Sequence, residues 1–445
     1  MKADQDRNRL LRRAVLTSLS GKGISVATQL LAIPLAVVAL GLDRYGAYAM
    51  LAAILMWVSN ASTVVAGALT LQLVPAHADR DVEAEARLFS TAFYFALALA
   101  VAVVAVLAGA LYLFDLGRIF GVSSIPLVRE LGVASGLMLL LIPLNILFSL
   151  AEAAQAGYQR QYVTNALQIV ANIGTLLMLL LVVRWTPSVP AMVLAMFGPL
   201  TLVRVVNFGM LMRGGRHLWP RWSHCSGPTL RDLMRMGAAF GLMQVGTFLF
   251  LQFPTFYVGR EVGLHEAAYL TTMMLVINIF GSLLVIFTQP LTPALRDAMT
   301  RGNPDWVARA HRAMLRRVVP YVTLASVVIA VAGSMIVSLL TRQSVDLEVG
   351  MRWAWAAFFW IVAWEHLHYT FVVGVGRLWR ATWLYLGGAA LMLLVSLSSV
   401  PRFGITGAFV AMCLGPLCFT VIGYPLALRR TMRGHDGSTQ HSHAP

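Results

Sequence analysis

Charge is scarce in this chain. Asp, Glu, Lys and Arg make up 12% of its 445 residues, about half the share of an ordinary globular domain. So thin a shell of ionic side chains cannot cover a water-soluble surface of this size, and a soluble globular fold is excluded. Cysteine is nearly absent. Of the three, Cys225 falls in a polar connection, and Cys413 and Cys418 point from different faces of one apolar segment, which leaves no disulfide framework and no metal site. Long polar segments are missing as well. No stretch between apolar runs exceeds roughly 25 residues, too short for a catalytic domain. There is no phosphate-cradling glycine loop, no dinucleotide fingerprint after a strand, no Ser/His/Asp set and no metal-ligand spacing. The chain is therefore not expected to be an enzyme or an ATP-driven pump, and no cofactor or metal is expected.

What the sequence has in abundance is apolar length. Apolar residues fill 58% of it. Runs of roughly 20 or more, each enough to cross about 30 Å of hydrocarbon as a helix, fall at 14–41, 46–72, 88–113, 131–156, 162–183, 188–212, 236–259, 266–290, 318–341, 351–374, 381–400 and 404–428. Backbone amides in lipid must be satisfied within the segment, so these are twelve helical spans. The first is too long for the apolar core of a cleaved signal peptide and is expected to stay. Roughly 24 of the 34 basic residues lie in the tails and the even-numbered connections, against about eight in the odd-numbered ones. The positive-inside rule then places both termini in the cytoplasm. The net charge of +15 reads as topology and contact with anionic membrane lipids, not as nucleic-acid binding.

The chain also repeats itself. Pro34, Gly41-Leu42, Tyr48, Pro75-Ala76, Gly157 and Gly198-Pro199 recur as Pro254, Gly263-Leu264, Tyr269, Pro293-Ala294, Gly376 and Gly415-Pro416, at an offset of about 217 to 222 residues. Six spans return the chain to its starting side, so the halves are parallel repeats around a central cavity. The expected organisation is a first six-helix bundle over 1–212, a connection over 213–235 carrying a short interfacial helix from Pro228, a second bundle over 236–430, and a disordered tail over 431–445.

Polar residues inside the spans are the candidate sites, because each is costly in hydrocarbon. Ser18, Lys22, Ser25 and Gln29 share one face of the first span. Asn145, Ser149 and Glu152, continued by Gln155 and Gln159, share a face of the fourth, and Asn165, Gln168, Asn172 and Thr175 a face of the fifth. Arg204 lies in the sixth. Lys22 is read as a cavity cation or a snorkelling side chain, and Arg204 as a cargo contact or the partner of Glu152 in an internal ion pair. In the second half Gln244, Thr247, Asn278, Ser282 and Gln289 make milder faces. Glu365, His366 and His368 stand together in the tenth span as a coupling-proton cluster or a packing cluster.

The opening from Leu11-Arg12-Arg13 through Ser18, Lys22 and Pro34 to Leu40-Gly41-Leu42-Asp43-Arg44-Tyr45-Gly46-Ala47-Tyr48, with the turn from Gly157 to Tyr162, resembles polysaccharide biosynthesis proteins of the Wzx type. These belong to the multidrug/oligosaccharidyl-lipid/polysaccharide (MOP) exporter superfamily. The resemblance implies an all-α integral membrane protein of MATE-like fold in the bacterial inner membrane. It also implies a flippase that moves an undecaprenyl-diphosphate-linked oligosaccharide for O-antigen, capsule or exopolysaccharide synthesis. Its partners would be that glycan, membrane lipids, and a polymerase and glycosyltransferases of the same pathway. Lys22 and Arg204, with Ser18, Ser25, Gln29, Asn145, Gln168 and Asn172, are the positions that would meet the head group. Glu152, Glu365, His366 and His368 would serve ion coupling or internal pairing. A MATE-like drug or cation antiporter and a lipid II flippase are the alternatives. The first would carry deep acidic sites in its first bundle, and the second is usually built of fourteen spans. A polymerase would need a large outer loop, and none is present.

Overall fold

The computed structural model describes the backbone of residues 2–60, 62–158, 160–288 and 303–439, with isolated positions between 291 and 299. The side chains of 1–22, 57–61, 63, 78, 159, 239–240, 286–287, 433–445 and most of 289–302 lie outside that description, and with them the candidate positions Ser18, Lys22, Gln159 and Gln289.

The described chain is helical throughout: α1 (Lys2–Asn60), α2 (Ser62–Ala78), α3 (Val82–Leu113), α4 (Leu116–Phe120), α5 (Ile125–Gly157), α6 (Gln161–Trp185), α7 (Val189–Gly214), α8 (Gly227–Thr247), α9 (Phe253–Glu261), α10 (Leu264–Thr288), α11 (Pro304–Thr341), α12 (Val349–Gly374) and α13 (Leu378–Thr439). Two of these are double. α1 breaks at Gly41 and α13 at Gly404, both at positive φ, so each carries two spans. α12 carries Glu365 and two His among its apolar residues and is not one of the nine most evidently apolar long helices, but its 26 residues are long enough to cross. Taking the stretch after Gly41 with α2 as one span and α8 with α9 as another, and leaving out the five-residue α4, the described residues make twelve spans.

Two compact units emerge. The first comprises Met1–Gln244 with Gly263–Ala268, and the second Val245–Val262 with Tyr269–Pro445. The two halves of the repeat share caps that the sequence pattern did not single out. Asp81 caps α3 by accepting the Ala84 N–H at 2.9 Å, and at the same offset Asn303 caps α11 by accepting the Trp306 N–H at 3.1 Å. Gly41 and Gly263, the repeated glycines after the first and seventh spans, both take positive φ, 73° and 150°. The stretch that is one helix in α11 is broken in the first unit by Phe114 and Asp115 into α3 and α4.

Two expectations are corrected. The helix begun at Gly227 runs without a break into the seventh span, so no separate interfacial helix precedes it. It opens into a π turn at Phe248–Gln252, where Pro254 lacks the N–H of a regular turn and its ring needs room. α13 continues to Thr439, so most of the expected disordered tail is helical; extending an existing helix costs no new nucleation.

The element around Tyr45-Gly46 has a physical reason in the first unit. Arg44 pairs with Glu130 at 2.7 Å, and the other oxygen of Glu130 accepts the Val189 N–H at 3.0 Å, at the start of α7. Asp43 faces His265 at 2.8 Å. The backbone of Leu264 fills the space a Cβ on Gly46 would need, so only glycine fits there.

Candidate functional site

The polar stripes of the first unit meet each other. α5 presents Asn145, Ser149, Glu152 and Gln155 along one face, and α7 presents Thr201, Arg204 and Asn207 along the face opposite. Asn145 donates to the Thr201 hydroxyl at 2.7 Å and to the Leu141 carbonyl at 2.9 Å. Arg204 donates from Nη1 to Asn145 Oδ1 at 2.8 Å, from Nε to Glu152 Oε1 at 3.1 Å and from Nη2 to Glu152 Oε2 at 3.3 Å. Gln155 reaches Asn207 at 3.4 Å. The result is a polar seam about three turns long in which nearly every group is spent on a neighbour, as a low-dielectric interior requires. Asn145, Gln155 and Asn207 are buried, whereas Arg204 and Glu152 keep 17% and 25% of their side chains exposed. The ion pair is therefore the partly exposed portion of the seam, and its net charge is zero.

Sequence pattern located α5 but not its full complement on α7. Thr201 and Asn207 were passed over, although their spacing of three from Arg204 put them on its face. On α1, Gln29 donates to Ser25 at 3.4 Å, and on α6, Gln168 approaches Asn172 at 3.5 Å. Asn172 Nδ2 is buried without a partner among the described residues. These amide and hydroxyl groups offer both donors and acceptors, the complement of a sugar hydroxyl.

In the second unit, Glu365, His366 and His368 do not form one cluster. A helix turns about 100° per residue, and the three side chains go to three different neighbours. His366 Nε2 meets Thr288 Oγ1 of α10 at 2.9 Å. His368 Nδ1 meets the Trp364 carbonyl at 2.8 Å, and its ring lies 5.0 Å from that of His311 on α11. Glu365 is 7% exposed, near Thr420, Tyr385 and Tyr424, and its Oε1 has no hydrogen-bond partner among the described residues.

A third group was missed altogether. Glu85, in the first turn of α3, is 5% exposed and receives His217 at 2.8 Å, His77 at 2.9 Å and the Tyr158 hydroxyl at 3.1 Å. Burial, then the neighbouring Glu85 carboxylate, push the Tyr158 phenol well above its ordinary pKa, so it stays a donor. This hub ties the segment after α7 to the first bundle.

No protein-family model and no curated protein matches the sequence. Solved structures do. An inward-facing multidrug resistance MATE family transporter of the MOP superfamily superposes with a TM-score of 0.80 at 12% identity, covering 93% of this chain and 96% of that one. A MATE in the bent conformation gives 0.68 at 13% identity, with 97% of each chain covered. An outward-facing MATE family transporter of the same superfamily gives 0.67 at 11% identity, covering 94% and 95%. The twelve-span architecture of this chain is the fold of the MATE transporters of the MOP superfamily.

Proposed function

We propose that the chain is an alternating-access exporter in a bacterial inner membrane, with both termini cytoplasmic. Its cargo is an oligosaccharide carried on undecaprenyl diphosphate. The observation that supports the cargo class is the polar chemistry left reachable in the first unit: the exposed Gln29 and the half-buried Ser25, Gln168 and Asn172, together with one neutralised Arg204–Glu152 pair. Such a wall exchanges hydrogen bonds with sugar hydroxyls. A bundle built to hold a coupling cation would instead present acids without a matching base. Arg204 contacts the diphosphate or an acidic sugar only by giving up Glu152, so head-group binding and opening of that pair are one event. A polymerase and glycosyltransferases of the same pathway would act next to it.

The second reading is a drug or cation antiporter, since one of the transporters that share the fold is a multidrug resistance transporter. The buried carboxylate of Glu365, with one oxygen unpartnered, favours ion coupling in either case. A lipid II flippase is a third cargo assignment of the same mechanism. Deletion of the gene tests all three. Accumulation of lipid-linked oligosaccharide on the cytoplasmic leaflet is expected, and a normal leaflet distribution with raised drug sensitivity would replace this reading with the antiporter.

A further inference from the structure

The connection between the two halves of the repeat is fixed to the first unit in a way that leaves Arg216, Arg221 and much of Trp219 and Trp222 exposed. After α7 the chain makes two short 3₁₀ turns, Arg216–Leu218 and Trp222–His224. His217 is held by Glu85 at 2.8 Å, and Leu218 is 1% exposed. The Arg221 N–H donates to the Ser90 hydroxyl at 3.3 Å, and the Ser226 N–H to the Thr91 hydroxyl at 3.2 Å. Trp222 stands edge-on to Tyr94 with ring centroids 4.9 Å apart. The segment thus lies along the first turns of α3. From Phe89 to Leu113 that helix has no charge, and Tyr94 lies roughly 10 Å beyond Arg87, the last charged residue, at 1.5 Å per residue.

A loop at that depth is at head-group level. On it, Trp219 and Trp222 are 54% and 72% exposed. Arg216 and Arg221 are exposed, with no acid and no side-chain hydrogen bond among the described residues. The acids at the start of α3 are committed: Glu83 pairs with Arg87 at 3.1 Å, Asp81 caps the helix, and Glu85 holds His217. Indole rings favour the boundary between head group and hydrocarbon, and guanidinium matches phosphate oxygens with two parallel donors.

We propose that residues 216–222 form a preorganised shelf that binds the phosphate of an anionic phospholipid in the leaflet the positive-inside rule assigns to the cytoplasm. Arg216 and Arg221 grip the phosphate, and Trp219 and Trp222 seat against the acyl boundary. This site is separate from the seam between α5 and α7 and does not depend on which cargo is exported. The Glu85 hub is its positioning group: it touches no lipid but sets where the arginines stand.

The test uses the purified full chain and measures lipid retained after delipidation and exchange into phosphatidylglycerol or phosphatidylcholine, by native mass spectrometry. The intact protein is expected to retain phosphatidylglycerol over phosphatidylcholine by about thirtyfold, from roughly 1 kcal/mol for each of two arginines. Arg216→Gln with Arg221→Gln should remove that preference while leaving phosphatidylcholine retention unchanged. Arg309→Gln with Arg312→Gln, an equal loss of charge on the same side of the membrane, should keep it. His217→Phe should weaken the preference without removing a charged lipid contact. Equal retention of both lipids by the intact protein would overturn the proposal, as would an equal loss in the Arg309/Arg312 variant. Unchanged preference in the Arg216/Arg221 variant would mean the surface serves another occupant, such as an acidic protein, and would overturn it too.

Discussion

The two compact units are copies of one scaffold with different interiors. At the repeat offset, the position of Asn145 is Trp364 and that of Arg204 is Val421. Where Arg204 donates to Asn145 in the first unit, the Trp364 indole N–H donates to the Val421 carbonyl at 3.3 Å in the second. The contact between the same two spans survives, but an ionic network has become a single hydrogen bond in an aromatic setting. Caps and turn glycines set the path of the chain, and several stay matched in role, as Asp81 with Asn303 and Gly41 with Gly263. Interior side chains can be exchanged whenever the new set satisfies its own polar groups, and there the units part.

The matched parts should be the most sensitive. In the second unit the two arms of α13 cross at Gly388 and Gly415, with the Gly388 carbonyl inside the space a Cβ on Gly415 would take and Met392 Cβ 2.9 Å from it. Gly415→Leu must push the arms apart, at a cost of about 3 kcal/mol or more. Loss of monodisperse protein on size-exclusion chromatography is expected. The corresponding crossing in the first unit is looser, with Pro199 Cβ 3.1 Å from a Cβ on Gly174, so Gly174→Ala should leave folded protein with a modestly lower Tm. A well-folded Gly415→Leu would show that the crossing is not the constraint it looks to be.

The interiors come next. Arg204→Met or Glu152→Met alone leaves a charge in the seam without its partner, costing about 3 kcal/mol. The double variant should be more stable than either single, because no charge is then stranded. Export separates the two roles of Arg204. If the double variant regains stability but not export, Arg204 meets the cargo; if it regains both, the pair only holds α5 to α7. Thermal unfolding in detergent together with a leaflet assay for the lipid-linked glycan reads both.

Glu365 should behave in the opposite sense from Glu152. Among the described residues Glu365 Oε1 has no hydrogen-bond partner, whereas both oxygens of Glu152 are held by Arg204. Glu365→Gln removes an unpaired ionisable group at nearly constant shape and should raise stability by about 1 kcal/mol, while Glu152→Gln lowers it. If Glu365 couples export to an ion gradient, the same variant loses gradient-driven export. A fall in Tm for Glu365→Gln would mean that its carboxylate is satisfied after all.

Much of this was legible because it is periodic. Apolar run length gives the spans, and the offset between Gly41 and Gly263 or Pro199 and Pro416 gives the duplication. The stripe of Asn145, Ser149 and Glu152 marks a polar face on α5, but a periodic pattern does not say whether such a face meets water or another helix. Here it meets α7. Adjacency misleads in the other direction: Glu365, His366 and His368 are neighbours in sequence and turn to different helices. The Glu85 hub had no local signal, since His217 lies 132 residues from the carboxylate it holds. Contacts of that kind depend on how the chain folds back, not on any short pattern.

The smallest expected effect is the sharpest test of the copied scaffold. Gly121 and Arg342 occupy the same repeat position, and both end a helix in the left-handed region, at φ 65° and 54°. A side chain there crowds its own backbone by roughly 1 kcal/mol, which glycine avoids, although glycine gives back part of the gain through the greater freedom of the unfolded chain. Arg342 is exposed and makes no side-chain hydrogen bond or ion pair among the described residues, so nothing else is lost with it. Arg342→Gly should therefore raise stability by about 0.5 kcal/mol, and Gly121→Arg should lower it by a similar or larger amount, read as opposite shifts in Tm. Shifts of the same sign would mean that the two positions, alike in backbone, are held by different surroundings, and that the repeat constrains the path of the chain less tightly than its dihedral angles imply.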